Sequence, residues 1–274
     1  MLLRIVIGHN EDELCCITCL PDGRFWLTGE GSNMRLYDPV GKLIKKIKTI
    51  SNEWPWAITS NEKSELLYCD FYERSVNILQ TIDGKIETMI KLLEWKPRCL
   101  CCTADGDLLV LMDDNRFKET KIVRYSGCKE KQTIQWDENN YPLFTSGFHN
   151  VKYICENKNS DICVSDNQGQ AIVAILPNGK LHFRYKGSCW NEKFDPTGIA
   201  SDKHCRILTA DMGNNCIHII SKIGHLLRLI DTCDLHRPSG LCVDSQDNIL
   251  VVEKQRIVKK IQYYDQNIIA TQKE

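Results

Sequence analysis

One pattern recurs six times along this chain and constrains it more than any other feature: a polar turn, three or four apolar residues, then an acidic residue. The copies are DGRFWLTGE (22–30), SELLYCD (64–70), DGDLLVLMD (105–113), SDICVSD (160–166), CRILTAD (205–211) and DNILVVE (247–253). Their first apolar residues are Phe25, Leu66, Leu108, Ile162, Ile207 and Ile249, at steps of 41, 42, 54, 45 and 42 residues. Only the third step is long, and its excess falls in the polar, Pro-containing stretch 137–150. Upstream of each copy lies a run of small apolar residues: CCITC, WAITS, CLCCT, VKYIC, GIASD, GLCVD. Downstream lies a run rich in Ile, Val and Tyr, usually followed by a Gly turn and a fourth alternating run such as LIKKI, IETMI or LLRLI.

Short β-rich runs bounded by Gly, Asn and Asp are strands joined by tight turns. No apolar pattern of helical period is sustained over about 12 residues. Four strands in roughly 40–45 residues is the arithmetic of a propeller blade. The expected fold is therefore all-β: a six-bladed β-propeller with four antiparallel strands per blade, one domain over residues 1–274. The sixth copy lacks a good fourth strand after KKIQYY. The N-terminal LRIVI (3–7) is the expected supplier, beside 258–263, because it precedes the first complete copy and would remove an edge strand. The C-terminal IIAT (268–271) is the rival.

WD40 blades carry Gly-His and Trp-Asp dipeptides blade by blade, and kelch blades paired glycines; this chain has Gly-His only at 8–9 and 224–225 and Trp-Asp only at 136–137, not as a repeating set, and no paired glycines. It has P-x-G-(apolar)-x-x-D, then N-I-(apolar)-V-x-(D/E), then I-x-(apolar), most fully in DPTGIASD (195–202) with RILTADMGNNCIHII (206–220), and in RPSGLCVDSQDNILVVE (237–253). That pattern resembles the NHL repeat. DGDLLVLM, KIVRYSG, YICENKNSDICVSD and GKLHFRYKG resemble the propellers of the tripartite-motif (TRIM) proteins, the expanded molluscan members above all, over nearly the whole chain. The resemblance implies the substrate-recognition domain of a TRIM-NHL E3 ubiquitin ligase system, or, as in some branches, an RNA-hairpin-binding propeller. The sequence has no RING, B-box or coiled-coil pattern, so ligase activity is not carried over to it.

The charge balance, 35 Lys and Arg against 36 Asp and Glu, argues against a broad nucleic-acid or membrane footprint. The run MLLRIVIGHN is short and broken by Arg4, a poor signal peptide. No apolar stretch approaches the roughly 18 residues of a membrane span. The expected location is cytoplasmic, with no membrane or DNA partner. The fifteen Cys sit mostly in apolar runs, where a free thiol is a small hydrophobe.

The chemistry-bearing candidates are few. Cys16-x-x-Cys19 and Cys99-x-x-Cys102 have metal-like spacing, yet residues three apart on a strand point to opposite faces. The acids ending the second runs (Glu30, Asp70, Asp113, Asp166, Asp211, Glu253) suit turn capping better than catalysis, which needs differentiated carboxylates. We expect no catalytic residue, no metal and no cofactor, and rank a metal-dependent propeller hydrolase or lyase last. Propellers bind on the loops of their ring faces. One face should collect the fourth-to-first and second-to-third strand connections. From these, Trp54, Tyr72, Arg74, Arg98, Arg116, Lys118, Trp190 and Arg237 are the expected partner-binding residues, since aromatic and Arg side chains anchor interfaces. Trp56 and Trp95 are expected to pack between blades. The expected partner is a protein substrate or adaptor, with RNA the alternative. A contiguous basic face would favour RNA, and interspersed acids would favour protein.

Overall fold

The structure, a computed structural model, describes residues 2–7, 13–80, 84–188, 193–254 and 256–263 of the 274. Strand β1 (Leu2–Val6) opens the chain. Blade 1 is β2 (Leu14–Cys19), β3 (Phe25–Gly29), β4 (Asn33–Tyr37) and β5 (Leu43–Lys48); blade 2 is β6 (Ile58–Ser60), β7 (Leu66–Asp70), β8 (Ser75–Leu79) and β9 (Ile86–Lys91). Blade 3 is β10 (Trp95–Cys102), β11 (Leu108–Asp114), β12 (Thr120–Ser126) and β13 (Lys129–Ile134); blade 4 is β14 (Lys152–Glu156), β15 (Ile162–Asp166), β16 (Ala171–Ile175) and β17 (Leu181–Tyr185). Blade 5 is β18 (Pro196–Ser201), β19 (Ile207–Asp211), β20 (Cys216–Ile220) and β21 (Leu226–Ile230); blade 6 is β22 (Pro238–Val243), β23 (Ile249–Glu253) and β24 (Ile257–Ile261).

Each blade is a four-stranded antiparallel sheet in chain order, and β1 completes the sixth sheet beside β24, with Leu2 opposite Ile261 and Val6 opposite Ile257. The N-terminal strand thus closes the ring. The first strands of successive blades pack against one another all the way round, from β2 to β6, β10, β14, β18, β22 and back to β2. No helix is present among the described residues, so none is long and apolar enough to cross a membrane.

Burial explains the repeat. Strands β3, β7, β15, β19 and β23 are buried at every position. A second strand is covered on both faces by neighbouring blades, so it reads as a continuous apolar run. The fourth strands lie on the outside, and β5 is almost wholly exposed, matching its alternating Lys residues. The first turn of every blade places a residue with positive φ two positions before the second strand: Gly23, Ser64, Gly106, Ser160, Cys205 and Asp247. In several blades an Asn or Asp two to three residues earlier holds that turn. Asn61, Asp202 and Asp244 each accept, through Oδ1, the amides of the residues two and four further on.

The P-x-G pattern marks the ring seam. A Cβ on Gly198 of β18 would lie 2.6 Å from Leu241 N of β22, and nearer still to Ser239 O. A Cβ on Gly240 of β22 would meet Cys15 O and lie 3.0 Å from Cys16 Cα of β2. These glycines let inner strands of adjacent blades pack backbone to backbone. Thr197 Oγ1 donates across the same seam towards Pro238 O (3.1 Å) and Ser239 O (3.3 Å).

One cysteine reading needs correction. Cys19 and Cys242 are not free thiols but a disulfide, joining the first strands of blades 1 and 6 with Cα atoms 6.4 Å apart. Cys16, by contrast, points towards blade 2, its thiol donating to Trp56 O at 3.5 Å. The two cysteines of that CxxC diverge, as strand alternation requires.

Candidate functional site

In an antiparallel blade the second-to-third and fourth-to-first connections emerge at the same end of the ring. On blades 2, 3 and 4 they gather seven rings into one array. Trp54 meets Trp56 edge-on at 5.4 Å, and Trp56 stacks on Phe71 at 4.4 Å. Phe71 contacts Tyr72 (5.4 Å), Phe117 (6.2 Å) and Phe148 (6.5 Å). Phe148 contacts Phe117 and His149, each at 5.0 Å. Two cations sit among them. Lys96 Nζ lies 4.7 Å from the Phe71 centroid and 5.0 Å from that of Phe117; Arg98 Cζ lies 4.3 Å from Trp56 and 5.1 Å from Phe71. Cation–π pairs of this kind contribute about 0.5–2 kcal/mol each, more when desolvated.

Local backbone structure sets this up. The pairing of β10 with β11 slips between Pro97 and Cys99, and such a bulge re-aims the residue it contains. Arg98 is turned inwards, its side chain 2% exposed. Its Nε donates to Asp113 Oδ2 at 2.6 Å, and its Nη2 to Phe148 O at 2.8 Å. Asp113 also accepts from Thr120 Oγ1 at 2.6 Å. The 54-residue step therefore has a purpose. Stretch 137–150 folds back through an isolated bridge of Trp136 with Pro142, buries Leu143 and Phe144, and delivers Phe148 and His149 to the array.

The expected partner-binding residues are placed as follows. Trp54 and Tyr72 belong to the array, and Tyr72 is 54% exposed. Arg74 is half-buried beside it, donating through Nη1 to Leu93 O at 2.7 Å. Arg116 and Lys118 are exposed on the β11–β12 turn, whose amides Asp114 accepts. Arg98 is not on the surface but lies beneath the rings. Arg237 is exposed on blade 6, across the ring from blade 3, with its amide bonded to Asn215. Trp190 lies outside the described residues. Trp56 and Trp95 are half-buried and pack on the core, and Lys121 Nζ covers the Trp95 ring at 4.0 Å. Phe117 and Lys96 were within reach of the connection argument. Phe148 carries no repeat signal of its own, and the long third step was the one pointer to the loop that brings it.

The six acids are not equivalent. Asp70, Asp166 and Asp211 cap their own turns, accepting from Glu73, Gly169 and Asn214 amides. Asp113 and Glu253 instead face Arg98 and Lys259, and Glu30 is exposed. Blade 5 holds one grouping with metal-ligand character: the ligand atoms of Asp211, Cys216 and His218 lie within 4.8 Å of one another, a set of zinc type. His218 bridges Tyr185 Oη, 2.8 Å from Nδ1, and Asp211 Oδ2, 3.2 Å from Nε2. Burial, then Asp211 and Asp231, push the Cys216 thiol up to about 12, so it carries its proton near neutrality. Asp211 is held below the usual carboxylate range: burial raises it, but bonds from His218 and Asn214 outweigh that. Asp211 and His218 are thus already hydrogen-bonded, and a metal would have to displace those bonds.

A ring of six four-stranded blades with an aromatic, cation-bearing end defines a β-propeller with a candidate interaction face. Known structures agree on the architecture. A streptogramin B lyase is 14% identical, with TM-score 0.66, over 95% of this chain and 97% of that one. A catalytically inactive variant of virginiamycin B lyase from Staphylococcus aureus, solved with quinupristin, is 13% identical with TM-score 0.67, over 95% and 98%. A protein of unknown function from Bacteroides thetaiotaomicron is 11% identical with TM-score 0.73, over 95% and 76%. At these identities the likeness is one of fold. No protein-family model and no curated protein matches the sequence, so beyond this architecture the NHL and TRIM resemblance rests on the motifs alone.

Proposed function

We propose that the protein is a non-catalytic recognition platform that seats a protein partner on the end of the ring formed by blades 2–4. By resemblance, the partner is a substrate or adaptor of a TRIM-type ubiquitin ligase system. The observation that carries the reading is the exposed aromatic array with Lys96 and Arg98 built into it. Tyr72 and Phe148, 54% and 48% exposed, present large rigid apolar area beside cations, the composition of interface anchors.

The charge pattern favours protein over RNA. Glu53, Glu73, Glu94, Asp114 and Glu119 are interspersed with the basic residues of this face. Lys91 is bound to the Glu73 carboxylate at 3.1 Å, and Arg98 to Asp113. A phosphate-tracking surface needs uncommitted cations.

The test is capture from lysate, before and after nuclease treatment, with wild-type protein, a Tyr72→Ala/Phe148→Ala variant and an Arg237→Ala control. The reading expects the same proteins from wild type and control, nuclease-resistant, and their loss from the double variant. Equal recovery by all three, or material that disappears with nuclease, would overturn it.

A further inference from the structure

Between blades 3 and 4, on the same end of the ring, lies an open groove of about 630 Å³. Ligand-holding clefts span roughly 300–1,000 Å³. The groove adjoins the aromatic array. Lys118, next to Phe117, and Ser146, two residues before Phe148, both line it. Both blades hold it in shape. Leu143 N donates to Gln135 O at 3.0 Å and Ser146 Oγ to Lys118 O at 2.8 Å, tying the long loop to blade 3. Arg184 Nη2 donates to Leu143 O at 2.8 Å and Thr145 N to Asp166 Oδ2 at 2.7 Å, tying it to blade 4.

The lining is cationic and aromatic. Its charged residues are three cations, Lys118, Arg184 and Lys186, all exposed, and two acids, Glu119 and Asp166. Trp136 and Tyr141 line it too, 45% and 68% exposed, and neither ring meets another among the described residues. The carboxylates around the groove are already engaged. Glu119 accepts from Gln135 Nε2 at 3.0 Å, and Asp166 is buried against Thr145 and Asn150. Asp114 accepts the amides of its own turn, Asp137 those of its hairpin, and Glu138 pairs with Lys180 at 2.6 Å. Among the described residues, no carboxylate lies within 4.0 Å of the Lys118, Arg184 or Lys186 side-chain nitrogens. The three cations thus line the groove without an acid of their own.

We infer that this groove seats an acidic segment of a polypeptide partner. Its Asp or Glu carboxylates meet Lys118, Arg184 and Lys186, and its side-chain methylenes lie on Trp136 and Tyr141. Lys118 stands on the β11–β12 turn of blade 3, and Arg184 and Lys186 at the end of the outer strand of blade 4. Cations contributed by both blades steer an acidic segment into the groove and fix its register. Arg184 spends one N–H on Leu143 O, and its planar fork keeps others for a carboxylate. A loop tied to both blades needs little ordering on binding. The inference rests on this end of the ring being the partner face, and it names the chemistry of the segment that face selects.

The test follows the indole N–H resonance of Trp136, assigned with Trp136→Phe, during titration with a capped Glu-Ala-Glu-Ala-Glu peptide. The capped Gln-Ala-Gln-Ala-Gln peptide and a short oligouridylate are titrated in parallel. The Glu peptide should give a saturable shift that added sodium chloride weakens, since exposed charges are screened. The Gln peptide should leave the resonance unmoved, and the oligouridylate should bind more weakly than the Glu peptide. Lys118→Glu/Lys186→Glu changes two exposed side chains and should weaken binding of the Glu peptide by about tenfold. No saturable shift, an equal shift with the Gln peptide, or undiminished binding by the charge-reversed variant would overturn the inference. Tighter binding of the oligouridylate would overturn it in favour of RNA. If the charge-reversed variant captures partners as wild type does while Tyr72→Ala/Phe148→Ala loses them, the groove reading fails and the partner face stands. If the Glu peptide binds as expected while Tyr72→Ala/Phe148→Ala captures partners normally, the array reading fails and the groove stands.

Discussion

Replacing Gly198 by Ala tests the packing on which the ring depends. The added Cβ would lie 2.6 Å from Leu241 N and closer to Ser239 O, where real Cβ contacts are essentially never under 3.0 Å. The obstacle is backbone on an adjacent blade, so relief requires opening the β18–β22 seam by several tenths of an ångström. Overpacking of this kind costs about 1–3 kcal/mol. Opening the seam also lengthens the Thr197 bonds to Pro238 O and Ser239 O, already 3.1 and 3.3 Å, and each such bond contributes about 1 kcal/mol. Against this, Ala restricts the unfolded chain and returns about 0.4–1 kcal/mol. The net expectation is a loss of about 2–4 kcal/mol, a Tm lowered by roughly 5–12 °C for a chain of this size. Gly213→Ala is the control: its φ is ordinary and its Cβ would come no nearer than 3.2 Å, to the Asp195 side chain. Urea and thermal unfolding of both variants measure the difference. A Gly198→Ala protein within about 0.5 kcal/mol of wild type, the usual range for neutral surface changes, would refute backbone-to-backbone packing at this seam.

Other outcomes follow from the same contacts. Asp113→Ala leaves Arg98 and Lys152 buried without their shared carboxylate and should cost about 3–5 kcal/mol in urea unfolding. Bonds from Lys260, Asn248 and Gln246 outweigh burial and hold Asp244 below its usual value. A depressed carboxylate stabilises above its unfolded value of about 4 and loses that as pH falls through the folded value. Wild-type stability should therefore fall on acidification below about pH 4, and Asp244→Asn should flatten that limb. Burial pushes the Cys16, Cys99 and Cys102 thiols up to about 12. A maleimide should label exposed Cys128 in the native protein and these three only on unfolding, as mass spectrometry of the digest would show. Asp211 and His218 are already hydrogen-bonded within blade 5, so chelator treatment should leave Tm unchanged; a fall with loss of stoichiometric zinc would make them, with Cys216, a metal site.

The architecture was legible because every blade repeats the same physics. A second strand covered on both faces must be continuously apolar, and its flanking turns need Gly, Asn or Asp, so all six copies can be counted in the sequence. Closure by residues 3–7 was legible too, from one copy short of a strand. The site was only partly legible. Trp54 and Tyr72 fall in connections whose end of the ring follows from strand alternation. Arg98 was assigned to a loop, but the bulge at Pro97 extends β10 and turns it inwards, and no periodicity announces a bulge. The stretch 137–150 read as surplus because its role is tertiary: Phe148 reaches across to Phe71 and Phe117 on blades 2 and 3. The Cys19–Cys242 bond spans 223 positions and depends on how the ring closes, which spacing alone does not encode.

Site-specific photo-crosslinking tests the central claim, that the aromatic end of blades 2–4 seats a protein partner. A benzophenone side chain would replace Tyr72 in one protein and Leu227, exposed on the outer strand β21, in another. Adducts formed in cell extract would be treated in parallel with protease and with ribonuclease. The account predicts discrete adducts from position 72, absent from position 227, that protease removes and ribonuclease leaves intact. Adducts of equal pattern from both positions, or adducts at position 72 that ribonuclease destroys, would contradict it.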